Sequence, residues 1–576
     1  MNAVRVAVSA AILTLVAAAG CSRAPDADRV FVGLASRYLD RMLDQNPEWA
    51  TNLGDHRFDH QVSDLSAEGF AARLGLARTT LDSLALLDTS RLSQVNRIDA
   101  EILAAACAGE IFAITELREH TWNPTWYNPG DGIYNLLARD FAPPRERLAA
   151  AISRIRQIPR TIAAARQNLQ APPEVMTRTA IDRLPGVINL VTGVMDRELA
   201  QAPDLQAAYP PIRDEAVAAL EEFGRWLEDD LLPRSTGDFR IGCEKFRQKL
   251  HYALSSDLTP AEILAAAEMD LLETRDELYR VAVPLYAKYG LGDVEKAPDK
   301  DAVIRAVLDR LAEDRPDNET IMPEARRGLE LTTAFVRERD LVTVPDDAVE
   351  IIVMPEHQRG FSVAYCDSPG PLEKNGTTFY AISPTPASWS PERAETFYRE
   401  YNDWMLQDLT IHEAMPGHYL QIAHANAFTA PTPLRAIYSS GTFVEGWATY
   451  AEQLMVEAGY AGPELQMQQL KMRLRLLINA IIDQKIHCEG MTEAEAVAKM
   501  MDEGFQEEAE AVGKWTRACL SSTQLSTYYV GNLELNAIRK AAEVRDGARF
   551  DLKAFHDRLL SYGSPAPKYA RELMGL

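Results

Sequence analysis

Residues 411–421 read Ile411-His412-Glu413-Ala414-Met415-Pro416-Gly417-His418-Tyr419-Leu420-Gln421, two histidines around a glutamate in a region otherwise patterned as helix. A zinc site takes neutral imidazoles as ligands, and a hydrolytic one needs a carboxylate nearby to accept a proton from water. The usual arrangement, His-Glu-x-x-His, places both histidines on one helix face. Here the position four after His412 is Pro416, and the next histidine is His418. At about 100° per residue, a regular helix would turn His418 roughly 120° away from the face of His412. The two imidazoles can share an ion only if the helix is broken or widened between them. Pro416-Gly417 is a pair that does this, because proline removes a ladder hydrogen bond and glycine tolerates unusual dihedrals.

The pattern His-Glu-x-x-Pro-Gly-His-x-x-Gln resembles the signature of the bacterial domain of unknown function 885 family, which is grouped with the gluzincin-type, zincin-like metallopeptidases. The resemblance covers most of the chain and is most specific between residues 412 and 531. It implies a mainly α, large helical zincin-like architecture that holds one Zn2+ ion. Phe443-Val-Glu445-Gly-Trp-Ala-Thr-Tyr-Ala-Glu452 matches a second family block. By that resemblance Glu445 is the third ligand beside His412 and His418. Glu452, seven residues on, shares the face of Glu445 and reads either as an acceptor for a ligating histidine or as a solvated helix residue.

In the stretch 523–531, Gln524, Tyr528 and Gly531 match a third block, with Ser522 where family members carry proline. Tyr528 is the candidate oxyanion donor; a buried tyrosine bonded to backbone is the alternative. Asp483 and His487 match a fourth block, with Gln484 and Lys485 replacing the usual threonine and glycine. They read as substrate-orienting, together with Arg473 or Arg475 for a terminal carboxylate, or as a structural Asp–His bond. His424 lies six residues after His418, off its face, and is left out of the metal set.

The chain has 576 residues and a formal net charge of -24, which argues against a nucleic-acid partner. A short basic start, an apolar run from Val6 to Ala19 and Ala18-Ala19-Gly20-Cys21 form a secretory signal whose end resembles a lipobox. The resemblance implies lipidation of Cys21 and a membrane contact through that anchor alone, with Ser22 favouring an outer membrane and a periplasm-facing body. The other cysteines, Cys107, Cys243, Cys366, Cys488 and Cys519, are scattered and form neither a disulfide framework nor a zinc ribbon.

Residues 22–30 read as a tether, 31–345 as a helical region and 346–576 as the catalytic region. Pro47–Asp64 is turn-rich and carries His56 and His60, read as exposed polar residues. Long helices are expected over 68–118 and 142–232. Capping boxes at Thr259–Glu262 and Thr492–Glu495, and a Ser390-Pro391 cap, start others. Val349–Met354 and Thr377–Ile382 are short and β-branched or aromatic, and predict a small sheet or hairpin with an irregular loop at 355–376. Such a strand beside the metal helix either holds an extended peptide by β-augmentation or merely covers the core.

The function expected is a zinc-dependent peptide hydrolase with Glu413 as general base. The other readings are a non-catalytic lipoprotein that binds peptides or envelope partners on the same scaffold, and a metal-dependent hydrolase of a non-peptide amide or ester.

Overall fold

The computed structural model describes residues 26–346, 349–354, 363–373, 376–386 and 388–576. The expected signal and Cys21 lie outside these. The fold is mainly helical with one small sheet. The first helix, Ala27–Gln45, begins inside the expected tether, where the Asp26 side chain accepts from the Asp28 N–H. The long helices expected over 68–118 and 142–232 are divided: Ala67–Ala85 and Gln94–Phe112 in the first, and shorter pieces including Pro144–Arg156, Ile158–Asn168, Glu174–Asn189 and Tyr209–Trp226 in the second. Both capping boxes form as the sequence predicts.

Residues from both sides of position 345 share one core. Phe246, Leu250, Ile263, Leu271 and Val307 pack in one cluster with Leu474, Leu477, Ile481 and Val530. A second junction is polar. Asp99, fully buried, accepts from Arg435 Nε at 2.9 Å and Nη2 at 2.8 Å, and from the Thr432 hydroxyl at 2.7 Å. Removing one partner of such a pair strands a buried charge and costs about 3–5 kcal/mol.

The sheet has three strands, β1 (Val349–Val353), β2 (Ala364–Asp367) and β3 (Thr378–Ile382), in the order β1-β3-β2. β1 runs parallel to β3, with Val349 opposite Thr378, so the two predicted strands do not form a hairpin. β2 lies inside the stretch read as an irregular loop and pairs antiparallel to β3, with Ala364 opposite Ile382. Its Ala-Tyr-Cys-Asp sequence is too short and mixed to show a period of two. The loop after β2 is fastened to the N-terminal helices: Leu372 N–H donates to Leu53 O at 2.8 Å, and the half-buried His56 bridges Asp59 at 3.0 Å and Glu373 at 2.9 Å. That contact corrects the reading of His56 as an exposed residue.

Five helices carry the residues of the candidate site, the first of them packed on β2: α1 (Asp403–Glu413), α2 (His418–Ala427), α3 (Gly441–Glu457), α4 (Gly462–Gln484) and α5 (Ser526–Asp546). The helix that Ser390-Pro391 starts breaks from α1 at Tyr401–Asn402, where Asn402 Oδ1 caps α1 by accepting from Trp404 and Met405 N–H, both at 3.2 Å.

Candidate metal centre

α1 ends at Glu413 because Ala414 leaves helical space, at φ -124° and ψ -78°. The Met415–Pro416 peptide is cis, and Gly417, at φ -75° and ψ -129°, leads into α2 at His418. The loop folds back over the end of α1: Met415 N–H donates to Thr410 O at 3.0 Å and Gly417 N–H to Ile411 O at 2.8 Å. Only glycine fits there, since a Cβ on Gly417 would lie 1.9 Å from His412 O. Trp447, fully buried on α3, donates Nε1–H to Pro416 O at 2.8 Å and fixes the loop against that helix.

The break brings the histidines together. Their rings stand edge to face, with centroids 4.7 Å apart. Glu445 Oε2, on α3, lies 3.4 Å from His418 Nε2 and 3.7 Å from His412 Nε2, and ligand atoms of the three residues all fall within 4.8 Å of one another. Tetrahedral ligands at about 2.0–2.2 Å from zinc stand roughly 3.3–3.6 Å from one another, so the trio is near that spacing. Glu445 Oε2 and His418 Nδ1 are buried with no hydrogen-bond partner. An orphaned carboxylate oxygen is costly in a dry site unless a cation takes it. Burial raises the Glu445 carboxyl, but the two histidines outweigh it and hold the group well below the ordinary range.

His412 is oriented from its other side. Its Nδ1 lies 2.5 Å from Glu452 Oε1, two helical turns after Glu445 on α3. Nδ1–H donates there, which leaves the Nε2 lone pair facing Glu445. Glu452 is thus buried rather than solvated. Burial opposes protonation of His412, but Glu445 and Glu452 prevail and raise its pKa well above the usual value. Asp408, one turn before His412, is buried with both carboxylate oxygens unpartnered, and burial plus the charge of Glu452 raise its pKa well above the usual value. The sequence reading passed over Asp408. The signal available was an acid four residues before a ligand histidine in an apolar helix.

Glu413 points to the sheet. Cys366 N–H, on the free edge of β2, donates to Glu413 Oε2 at 3.0 Å. Tyr528 arrives from α5, whose crossing with α3 is set by Gly446 and Gly531: a Cβ on Gly531 would lie 2.1 Å from Thr442 O, and one on Gly446 2.5 Å from Gly531 C. The Tyr528 hydroxyl accepts from Arg517 Nη2 at 3.1 Å and Gln524 Nε2 at 3.3 Å. Burial and the nearby Glu445 charge raise its pKa.

The remaining predicted residues serve the scaffold. Asp483 accepts from Thr523 N–H at 2.9 Å, Ser526 N–H at 3.1 Å and Ser526 Oγ–H at 2.8 Å, which fastens the start of α5. His487 Nε2–H donates to Ala518 O at 3.1 Å and Ser521 O at 2.9 Å. Among the described contacts the two form no Asp–His bond, and neither lines the cavity beside the metal ligands. His424 Nε2–H donates to Thr343 O at 2.7 Å, away from the cluster.

The family model for bacterial proteins of unknown function, DUF885, matches residues 47–574. The chain is a DUF885 protein. A solved structure of a presumed lipoprotein of unknown function from Shewanella oneidensis is 32% identical, with a TM-score of 0.82, over 95% of this chain and 100% of that one. A presumed lipoprotein from Colwellia psychrerythraea shares the fold at 18% identity and a TM-score of 0.78, over 96% and 99% of the two chains. No curated protein matches. No helix among the described residues is long and apolar enough to cross a membrane.

In this DUF885 protein His412, Glu413, Glu452 and Tyr528 line one cavity of about 140 Å³, with Ala364, Arg475, Asn479, Lys514 and Arg517 also on its wall. Arg475 is not free. It is ion-paired to Glu400, and lies 3.7 Å from Glu510. Lys514 and Arg517, which the sequence reading did not single out, are cations on a helix with no motif of its own.

Proposed function

We propose that His412, His418 and Glu445 hold a zinc ion and that the protein hydrolyses peptide bonds, with Glu413 as the general base. The observation that carries this reading is the convergence of two imidazoles and the Glu445 carboxylate on one another, with His412 also lining a cavity that presents Glu413 and Tyr528. Zinc, when bound, supplies Lewis acidity, making water a nucleophile near neutral pH and polarising a carbonyl.

This chain's own residues do the rest. Glu452 fixes the His412 tautomer through the Nδ1–H bond. Glu413, steadied by the Cys366 N–H, takes the proton from water at its carboxylate and returns it to the leaving amine. The Tyr528 hydroxyl, held by Arg517 and Gln524, donates to the oxyanion as charge develops there. β2 pairs with β3 on one side and directs the Cys366 N–H outward on the other. With the Cys366 N–H taken by Glu413, an extended peptide would pair with the remaining main-chain groups of that edge by β-augmentation.

Both solved relatives are described as lipoproteins. With the lipobox at Cys21, this favours a body anchored by lipid in the cell envelope, on the outer membrane facing the periplasm.

The test is zinc content together with cleavage of a mixed peptide library. The wild type should bind about one zinc and cleave. Glu413→Gln should keep the metal and lose roughly 10²–10⁴-fold in rate. No metal bound and no effect of His412→Ala on any activity would defeat the proposal. Peptide binding that survives a chelator without hydrolysis would favour a non-catalytic binder, and ester or non-peptide amide turnover alone would narrow the reading to another hydrolase.

A further inference from the structure

Beyond the metal trio, the cavity wall carries a second charged group. Glu400, fully buried, accepts from Lys471 Nζ at 2.8 Å and is paired with Arg475. Glu510 accepts from the Tyr401 hydroxyl at 3.1 Å and lies 3.7 Å from Arg475. These contacts use both acids. Lys514, about 10% exposed, has Glu510 as its nearest carboxylate, 3.9 Å away, and its ammonium donates no hydrogen bond among the described residues. Arg517, at the cavity mouth, hydrogen-bonds only neutral groups, Gln524 at 2.8 Å and Tyr528 at 3.1 Å. Two cations therefore line the space shared with His412 and Glu413, and neither has a hydrogen-bonded carboxylate.

Glu510 also lines this space, but it is shared among Tyr401, Arg475 and Lys514, and a mostly buried ammonium whose one ion pair is as long as 3.9 Å keeps donors that an anion can complete. Burial, with help from Arg475 and Arg517, already depresses the Lys514 amine to about 8 against the pull of Glu510. The cavity, about 140 Å³, is well under the size that takes a large organic ligand, so the anion is small. Arg517 bonds the Tyr528 hydroxyl directly, so an anion held there lies within a few ångströms of the reacting atoms.

We propose that Lys514 and Arg517 form a carboxylate-binding subsite, so that the enzyme selects amide bonds lying beside a carboxylate group of the substrate. This rests on the hydrolase reading above. The carboxylate has two sources, the C-terminal α-carboxylate of a peptide, which would make the enzyme a carboxypeptidase, or an Asp or Glu side chain next to the scissile bond.

The test separates the subsite from the hydrolysis. Calorimetry on zinc-loaded Glu413→Gln protein would compare three blocked dipeptides: acetyl-Ala-Phe as the free acid, the same as the carboxamide, and acetyl-Ala-Glu carboxamide. The acid should bind about tenfold or more tightly than the neutral amide. Tight binding of the Glu carboxamide as well would assign the side-chain carboxylate as a second source, and tight binding of it alone would make that the source. Lys514→Met should erase the preference, and Lys514→Arg should keep it, which guards against a merely structural effect. Equal binding of all three probes, or a preference that survives in Lys514→Met, overturns the subsite. Wild-type cleavage of the same peptides is scored in parallel. Cleavage without carboxylate preference sinks the subsite and leaves the hydrolase reading standing. Preference without cleavage does the reverse, and no binding with no cleavage sinks both.

Discussion

Glu452 Oε1 sits 2.5 Å from His412 Nδ1 and is almost completely buried, so one carboxylate on α3 sets the tautomer of His412 on α1 while Glu445, two turns earlier, faces the same imidazole's other nitrogen. A carboxylate partner raises the basicity of a ligating imidazole and fixes its ring plane. Glu452→Gln should therefore weaken zinc binding by about 10–100-fold, measured by competition with a chelator, while the fold survives. Unchanged zinc affinity would show that the tautomer is set some other way.

The clustering of His412, His418 and Glu445 was legible because its parts carry distinctive local patterns: His-Glu with Pro-Gly before the second histidine, and Glu-Gly-Trp in α3. What surrounds it was not. Asp408 is an isolated acid, and its burial comes from the packing of α1 against α3 and α4, which no local pattern records. β2 is four residues long, and only its partner β3 makes it a strand. Asp483 and His487 looked like a functional pair because they are four apart on a helix, but their partners are backbone groups and one serine hydroxyl roughly 30–40 residues downstream. The shared packing of the N-terminal region with the later one was hidden for the same reason. Helix Pro260–Lys288 packs along α4, so one core is built from both sides of the supposed boundary.

Gly417 is where backbone geometry makes the site. A methyl group there would collide with His412 O at 1.9 Å and Ile411 O at 2.3 Å, and neither carbonyl can move without displacing the end of α1. Gly417→Ala should lose several kcal/mol of stability, about 3 or more, or fold with His418 displaced and zinc affinity gone. Chemical denaturation with zinc titration reads both. A stable variant with normal zinc affinity would show that the loop has a second solution.

Tyr528 tests the oxyanion role. Tyr528→Phe keeps the ring on the cavity wall and removes only the hydroxyl. The expected result is a fall in kcat of about 10²-fold with KM and zinc content little changed, since the lost hydrogen bond exists only as charge develops. A change in KM alone would instead make the hydroxyl a substrate-binding group.

Acid sensitivity should arise away from the metal. Burial depresses His487 to about 4 although the Ala518 and Ser521 carbonyls pull the other way, and burial likewise depresses His556, whose Nδ1–H donates to Leu341 O at 2.7 Å. Both are neutral in the native protein where the unfolded chain's histidines, titrating near 6.5, already bind protons. Below that pH the unfolded state holds more protons, so native stability falls as pH drops from about 6.5 toward 4, by roughly 3 kcal/mol per histidine at the end of the window. Above pH 6.5 neither contributes. His487→Gln keeps a donor for the two carbonyls but cannot take up the proton. It should cost about 1 kcal/mol at pH 8 and flatten the acid limb by about 3 kcal/mol, read from urea unfolding at pH 8, 6 and 4.5. An acid limb of unchanged slope in that variant would place the pH dependence on other groups; Asp483 and Asp408 are not among them, because burial raises both carboxyls and so favours the native state as pH falls.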